Sequence, residues 1–266
     1  MPKNPGPQTW QADFLDRGPI MAPLLAAGKH LRGASWPTLD AMQSPEPIHT
    51  ASGHLLRFVP QGAKPASFEE QYEPRITLRG EVQTRTENWH DLFNALAWLA
   101  FPRAKAAITE QHYRAAVTQR PGQNRHPARH KLTLFDESGV AVLCADPALA
   151  ELLAEHRWKE LFWERRTAVQ SAMRFFVFGH SLYEKALHPY IGLTGHGLVL
   201  PVAAALLEED SPAQLARLDG LLAERLSQPQ GLAYTPVPLL GVPGWWAGNE
   251  SAAFYDDTGY FRPKRP

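Results

Sequence analysis

The stretch from Asn88 to Lys105, NWHDLFNALAWLAFPRAK, constrains the fold more than any other. Leu92, Phe93, Leu96 and Leu99 recur at helical spacing. Asn88 is a good N-cap, and Asp91 sits three residues on, near the positive end of the helix. A helix this apolar belongs in a core, so the rest of the chain must bury it. Pro102 ends the run or opens a second helix, since proline is welcome at a first helical position. Helical residues then continue to about Val117. His90, Asp91 and Asn94 stand out here, because leucine would pack as well in their places.

The remaining segments mix strand and helix signals. Residues 1–45 are rich in Pro, Gly and Ala and read as an N-terminal extension. PIHTASGHLLRFVP, at 47–60, predicts a β-hairpin turning at Ser52 and Gly53. KLTLFDESGVAVLCAD, at about 131–146, predicts a second, turning through Asp136, Glu137, Ser138 and Gly139. Asp146 and Pro147 open a helix through LAELLAEHRWKELFW, and RFFVFGHSLYEKAL predicts helix at least from His180. GLTGHG, at 192–197, reads as a turn between helices, because it lacks the lysine of a phosphate-binding loop. Ser211 and Pro212 cap QLARLDGLLAERL. The tail, 228–266, looks irregular, but it holds Trp245, Trp246, Phe254, Tyr255, Tyr260 and Phe261. So many aromatic rings are costly to leave in water, so the tail should wrap the body. The expectation is an α+β fold: a mostly helical single domain over 1–266, with two β-hairpins (about 47–60 and 131–146) and an irregular aromatic-rich C-terminal tail packed on the body.

Composition narrows the function classes. The 266 residues are 44% hydrophobic, with 8 Trp and 12 Phe, which is ample for a core and argues against disorder. Lys plus Arg and Asp plus Glu number 27 each, so no global field holds nucleic acid or an anionic membrane. A local basic stretch, Arg120, Arg125, Arg129 and Lys131 with His126 and His130, could hold phosphate, and reads more simply as a solvated loop. The longest apolar run, LVLPVAAALL from Leu198, has about half the length a bilayer needs, and Pro201 interrupts it. The only cysteine, Cys144, precludes an intrachain disulfide and suits a reducing compartment. The first residues lack the basic start and apolar run of a signal peptide. A soluble, cytoplasmic protein is expected.

Two helices carry candidate chemistry. His90 and Asn94, four apart, share a face, with Asp91 beside them. They suit a metal site or a histidine oriented by a carboxylate. The plainer alternative is cap chemistry plus a histidine bonded to a nearby loop. His180 and Glu184 are also four apart, within reach of one ion. Their plainer alternative is a structural His–Glu bond. Asp136 and Glu137 read as turn residues. Asn249, Glu250, Asp256 and Asp257 read as caps and surface charges, and Cys144 as packing.

Buried ionisable groups are usually paired, so the two helices are expected to pack face to face. His90, Asp91, His180 and Glu184 would then form one catalytic and metal-binding set, with Asn94, Tyr183 and Arg103 at its substrate-binding edge. Two histidines with one or two carboxylates suit a divalent zinc, manganese or iron ion that activates water for hydrolysis. The alternative is a non-catalytic binding or scaffold protein in which the same residues form a structural polar network. The expected partner is a small molecule or a protein, rather than a membrane or nucleic acid.

The ordered set NWHDLFNALAWLAFPRAK, LTLFDESG, HRWKELFW, FVFGHSLYEKAL, LLGVPGWW with NE, and FYDD with YFRPKR resembles the bacterial domain-of-unknown-function 3025 family. The resemblance runs from Tyr72 to Arg265. It implies no particular activity, cofactor or catalytic residue.

Overall fold

The computed structural model describes residues 8–118 and 127–264. Helix accounts for 53% and strand for 13%, so the fold is α+β with helix dominant. The chain divides into two compact units. The first comprises Met1–Asp16, Leu24–Thr133 and Asp219–Gly231, and the second Arg17–Pro23, Leu134–Leu218 and Leu232–Pro266.

In the first unit, β1 (Arg57–Pro60) and β2 (Glu81–Thr84) pair in parallel, with Phe58 opposite Val82. Parallel strands need a crossover rather than a tight turn, and α1 (Tyr72–Arg79) supplies it. Gly80 stops α1 in the left-handed region, at φ 71°, and β2 begins at the next residue. The hairpin expected at 47–60 is thereby corrected. Its turn exists, since Gly53 N donates to Thr50 O at 2.9 Å and an isolated antiparallel bridge joins His49 to Leu55. The strand after it pairs with β2 instead, where Phe58 and Val82 are buried side by side.

α2 (Trp89–Ala100) starts where Asn88 Oδ1 accepts a bond from Asp91 N at 3.0 Å, as the sequence leads one to expect. Leu92, Phe93, Leu96 and Trp98 are buried along it. Residues of the N-terminal stretch pack into this unit. Trp10, Trp36 and Trp89 lie with ring centroids 4.6–5.1 Å apart, and Gln8 Oε1 accepts from Trp89 N at 2.6 Å.

α3 (Pro102–Thr118) follows at once, and α4 (Pro127–Ser138) comes next among the described helices. The first N–H groups of a helix have no partner within it. In α3, those of Arg103 and Ala104 donate to the Asp219 carboxylate at 3.0 and 2.8 Å. Burial pushes the Asp219 carboxyl above its usual range, and these two bonds oppose the shift. Asp219→Ala should therefore cost about 2 kcal/mol, read by urea unfolding, because two donors lose their acceptor. Asp219→Asn keeps an acceptor and removes the titration. With the folded value raised, this group's contribution is fully present below the unfolded value of 3.8 and is lost as pH rises through the folded value. The parent should thus lose stability relative to Asp219→Asn over that window; parallel profiles would contradict the assignment.

The second unit is built on a four-stranded sheet whose order is β4 (Met173–Val177), β3 (Gly139–Cys144), β5 (Thr194–Pro201) and β6 (Thr235–Pro238). Its central strand, β3 (Gly139–Cys144), is buried at all 6 positions. α5 (Pro147–Ala154) follows, capped by Asp146 Oδ1. The helix expected to run on through LFW breaks after α5: His156 takes φ 54° and Glu160–Glu164 forms a π-helical turn. α6 (Arg166–Ala172) leads into β4 (Met173–Val177), which pairs antiparallel with β3. α7 (His180–Ala186) starts at the expected residue. β5 (Thr194–Pro201) runs parallel to β3, so GLTGHG is mostly strand, not an interhelical turn. α8 (Ser211–Leu226) follows, and its residues from Asp219 belong to the first unit. β6 (Thr235–Pro238) closes the sheet against β5.

The hairpin expected at 131–146 is also corrected: residues 131–138 lie in α4, and only 139–144 are strand. Leu132 and Phe135, three apart, are both buried, which is helical spacing. The tail is more regular than expected. It contributes β6, and its later residues bond into the second unit. Arg262 O accepts from Trp158 Nε1 at 2.8 Å, and Tyr260 OH donates to Leu193 O at 2.8 Å. Buried Asn249 donates to Leu240 O and Val242 O. Among the described residues, no helix is long and apolar enough to cross a membrane.

Candidate functional site

In the second unit the end of α4, the start of α7 and the start of β5 meet. Phe178 N and Gly179 N both donate to Gly139 O, at 2.9 and 3.0 Å. Ser181 Oγ donates to Glu137 O at 2.8 Å. Ser138 Oγ lies 2.9 Å from His196 Nδ1 and also donates to Leu134 O at 3.1 Å. Glycine is needed at 179 for close approach, because a Cβ there would lie 2.4 Å from both Ser138 Cα and Ser138 N.

This junction sets His180 Nε2 3.6 Å from Glu137 Oε2. The imidazole is 6% exposed and the carboxylate 42%, so a buried base faces an acid that reaches solvent. The separation exceeds a hydrogen bond. Two ligands each about 2.1 Å from a tetrahedral zinc ion stand roughly 3.4 Å apart, so the spacing suits a shared ion. Both side chains are of ligating type and offer an atom suited to one.

The other sequence candidates have distinct settings. In the first unit, His90 is half-buried on α2. Asp91 is committed to Arg85, whose N, Nε and Nη2 donate to its two oxygens at 2.6, 3.0 and 2.8 Å. Asn94 Oδ1 accepts from Lys105 Nζ at 2.8 Å, and Asn94 Nδ2 donates to Tyr72 OH at 2.9 Å. The Arg103 side chain is exposed. In the second unit, Glu184 stands half-buried one turn along α7 from His180. Tyr183 is wholly buried and donates to Val177 O; burial holds its hydroxyl well above the usual phenol range.

Within the tail, Glu250 pairs with Arg166, and Asp256 with Lys159 at 2.6 Å. These are surface ion pairs, in line with the plainer reading, whereas Asn249, expected as a cap or surface group, is buried. Burial pushes the Cys144 thiol up, and its Sγ donates to Asp146 O at 3.0 Å, which suits packing rather than nucleophilic work. Of the basic stretch, Arg120, Arg125 and His126 lie outside the described residues, while Arg129 pairs with Glu73 at 3.2 Å.

Sequence reasoning missed Glu137, Ser138, His196 and Lys105. Glu137 and Ser138 were hidden by the turn-like composition of DESG, and His196 by flanking glycines. Lys105 had a signal: it closes an apolar helical run, where a lysine must be buried or placed at an edge.

A family model described as "Protein of unknown function (DUF3025)" matches residues 56–265. No curated protein and no solved structure matches.

Proposed function

The chain belongs to the DUF3025 family, whose description names no activity, and from its own residues we propose a metal-assisted hydrolase. The observation that carries the proposal is the buried His180 imidazole 3.6 Å from the partly exposed Glu137 carboxylate. In this reading His180 and Glu137 ligate a divalent zinc, manganese or iron ion. Glu184, half-buried one turn along α7 from His180, is the third ligand, retained from the sequence pattern. An ion held by a histidine and two carboxylates would keep a position open for water and would lower the pKa of that water toward neutrality. Asp91, with both oxygens held by Arg85, serves the start of α2 rather than the ion. A cytoplasmic setting agrees with the single cysteine, which is unbridged and buried.

Elemental mass spectrometry of protein purified without chelator tests this. Near one metal per chain is expected in the parent. His180→Ala, Glu137→Gln and Glu184→Gln should each lose at least nine-tenths of it, and Asp91→Asn should keep it. A parent that stays empty after loading with zinc, manganese and iron refutes the metal reading. The serine bonds to Glu137 O and His196 favour a second reading, a structural polar network in a binding or scaffold protein. Metal-free variants that fold but melt lower would select it.

A further inference from the structure

Ser138 closes α4, and β3 starts at the next residue. Its Oγ lies 2.9 Å from His196 Nδ1 and 3.1 Å from Leu134 O. His196 sits on β5 opposite Gly139 in the parallel register, so strand pairing within the second unit brings the serine and the histidine together. Glycines flank the histidine for a steric reason. A Cβ at Gly195 would lie 2.4 Å from Val140 Cγ2, and one at Gly197 would lie 2.6 Å from Val237 Cγ2. The strand is drawn in closely at both positions, while the imidazole, at the alternate position, faces the other way. There it meets Tyr234 edge-on, with ring centroids 6.0 Å apart at 72°. The Tyr234 ring in turn stacks on Phe135, one turn before Ser138 in α4.

A serine hydroxyl has one proton to give. Leu134 O alone would satisfy it, as helical serines commonly do, so the helix end does not require an imidazole at this oxygen. In the tautomer protonated at Nε2, Nδ1 is an acceptor set against the hydroxyl, and 2.9 Å is within reach for proton transfer. Ser138 and His196 are each half-buried, and the adjoining Glu137 side chain is 42% exposed, so the pair borders solvent.

We propose that Ser138 is a nucleophile and His196 its general base, in the cleavage of carboxylic esters. Oγ adds to the ester carbonyl carbon as its proton passes to Nδ1. The bond from that carbon to the alcohol oxygen then breaks, and the leaving oxygen takes the proton from Nδ1. The acyl group is left on Ser138. Water attacks it in turn and gives a proton to Nδ1, which returns it to Oγ as the carboxylic acid departs. The proposal rests on the hydrolase reading only for that water, which an ion at His180 and Glu137 would activate; the attack by Ser138 needs no metal.

Labelling of the full chain with a fluorophosphonate, read by intact mass, tests the proposal, with metal content measured on the same samples. The native parent should take up about one phosphonyl group per chain, and heat-denatured parent none. Peptide mapping should place the group on Ser138, which decides the matter even should Ser138→Ala fail to fold. His196→Gln should slow labelling about a hundredfold. The parent should also cleave p-nitrophenyl acetate, and Ser138→Ala should lose that activity by a similar factor. An unlabelled parent, label on another residue, or ester cleavage unchanged in Ser138→Ala would overturn the proposal. Ser138 labelling in a parent that takes up no metal would sink the metal reading and leave this one standing. A metal-loaded parent with unreactive Ser138 would do the reverse.

Discussion

Gly179→Ala should destabilise the second unit by about 3 kcal/mol or more, near the upper end of what overpacking costs. The added methyl would lie 2.4 Å from Ser138 Cα and N and 2.5 Å from Glu137 O. All three are backbone atoms, so no side chain can swing aside. Relief requires the start of α7 to move from the end of α4, which would lengthen the bonds from Phe178 N and Gly179 N to Gly139 O. The same movement separates His180 from Glu137. On the metal-site proposal, a lower urea midpoint should therefore come with loss of bound metal. A midpoint within error of the parent would show that the junction yields easily and is no rigid platform.

Gly80→Ala should cost a similar amount, about 3 kcal/mol, through two separable causes. At φ 71° an L side chain is strained, which accounts for roughly 1–2 kcal/mol. The methyl would also sit 2.1 Å from Leu55 O and 2.8 Å from Leu55 C. Arg57 N donates to Gly80 O at 2.8 Å, so moving the glycine would disturb the start of the β1–β2 pair. Gly53 provides the control. It has φ 82°, and its absent methyl would meet nothing within 4 Å. Gly53→Ala should show the conformational part alone, about 1 kcal/mol. Equal losses at the two positions would remove the steric half of the explanation.

Helices with strong caps were legible in the sequence. Asn88 opens α2, Pro102 opens α3, and Asp146 and Pro147 open α5. Each of these signals is local, set by side-chain bonds within a few residues or by proline's missing N–H. Strand pairing was much less legible. KLTLF alternates well enough for a strand and spaces Leu132 and Phe135 well enough for a helix. Over five residues the two periods do not separate. What decides is β3, whose partners β4 and β5 lie far along the chain and leave it no need for a hairpin mate at 131–138. The same limit applies to chemistry. His180 was recognisable as a buried group needing a partner, and the i,i+4 rule offered Glu184. Glu137 reaches it through tertiary folding, 43 positions upstream, from a motif that looks like a turn. Lys105 was visible but silent until Asn94 and Trp98 were seen against it.

The cap on α3 bears on how the chain folds during synthesis. Ala104 N waits for a carboxylate 115 residues downstream. At about 5–20 residues per second, a ribosome needs roughly 6–23 s to deliver Asp219 after Ala104 has been made. Throughout that interval the first turn of α3 has only water for its leading N–H groups, and the helix end beside Lys105 stays frayed. The lysine's final setting would thus be completed late in translation. A nascent chain stalled before Asp219 should show fast amide exchange at Arg103 and Ala104, and one stalled well past Gly231 should show protection there.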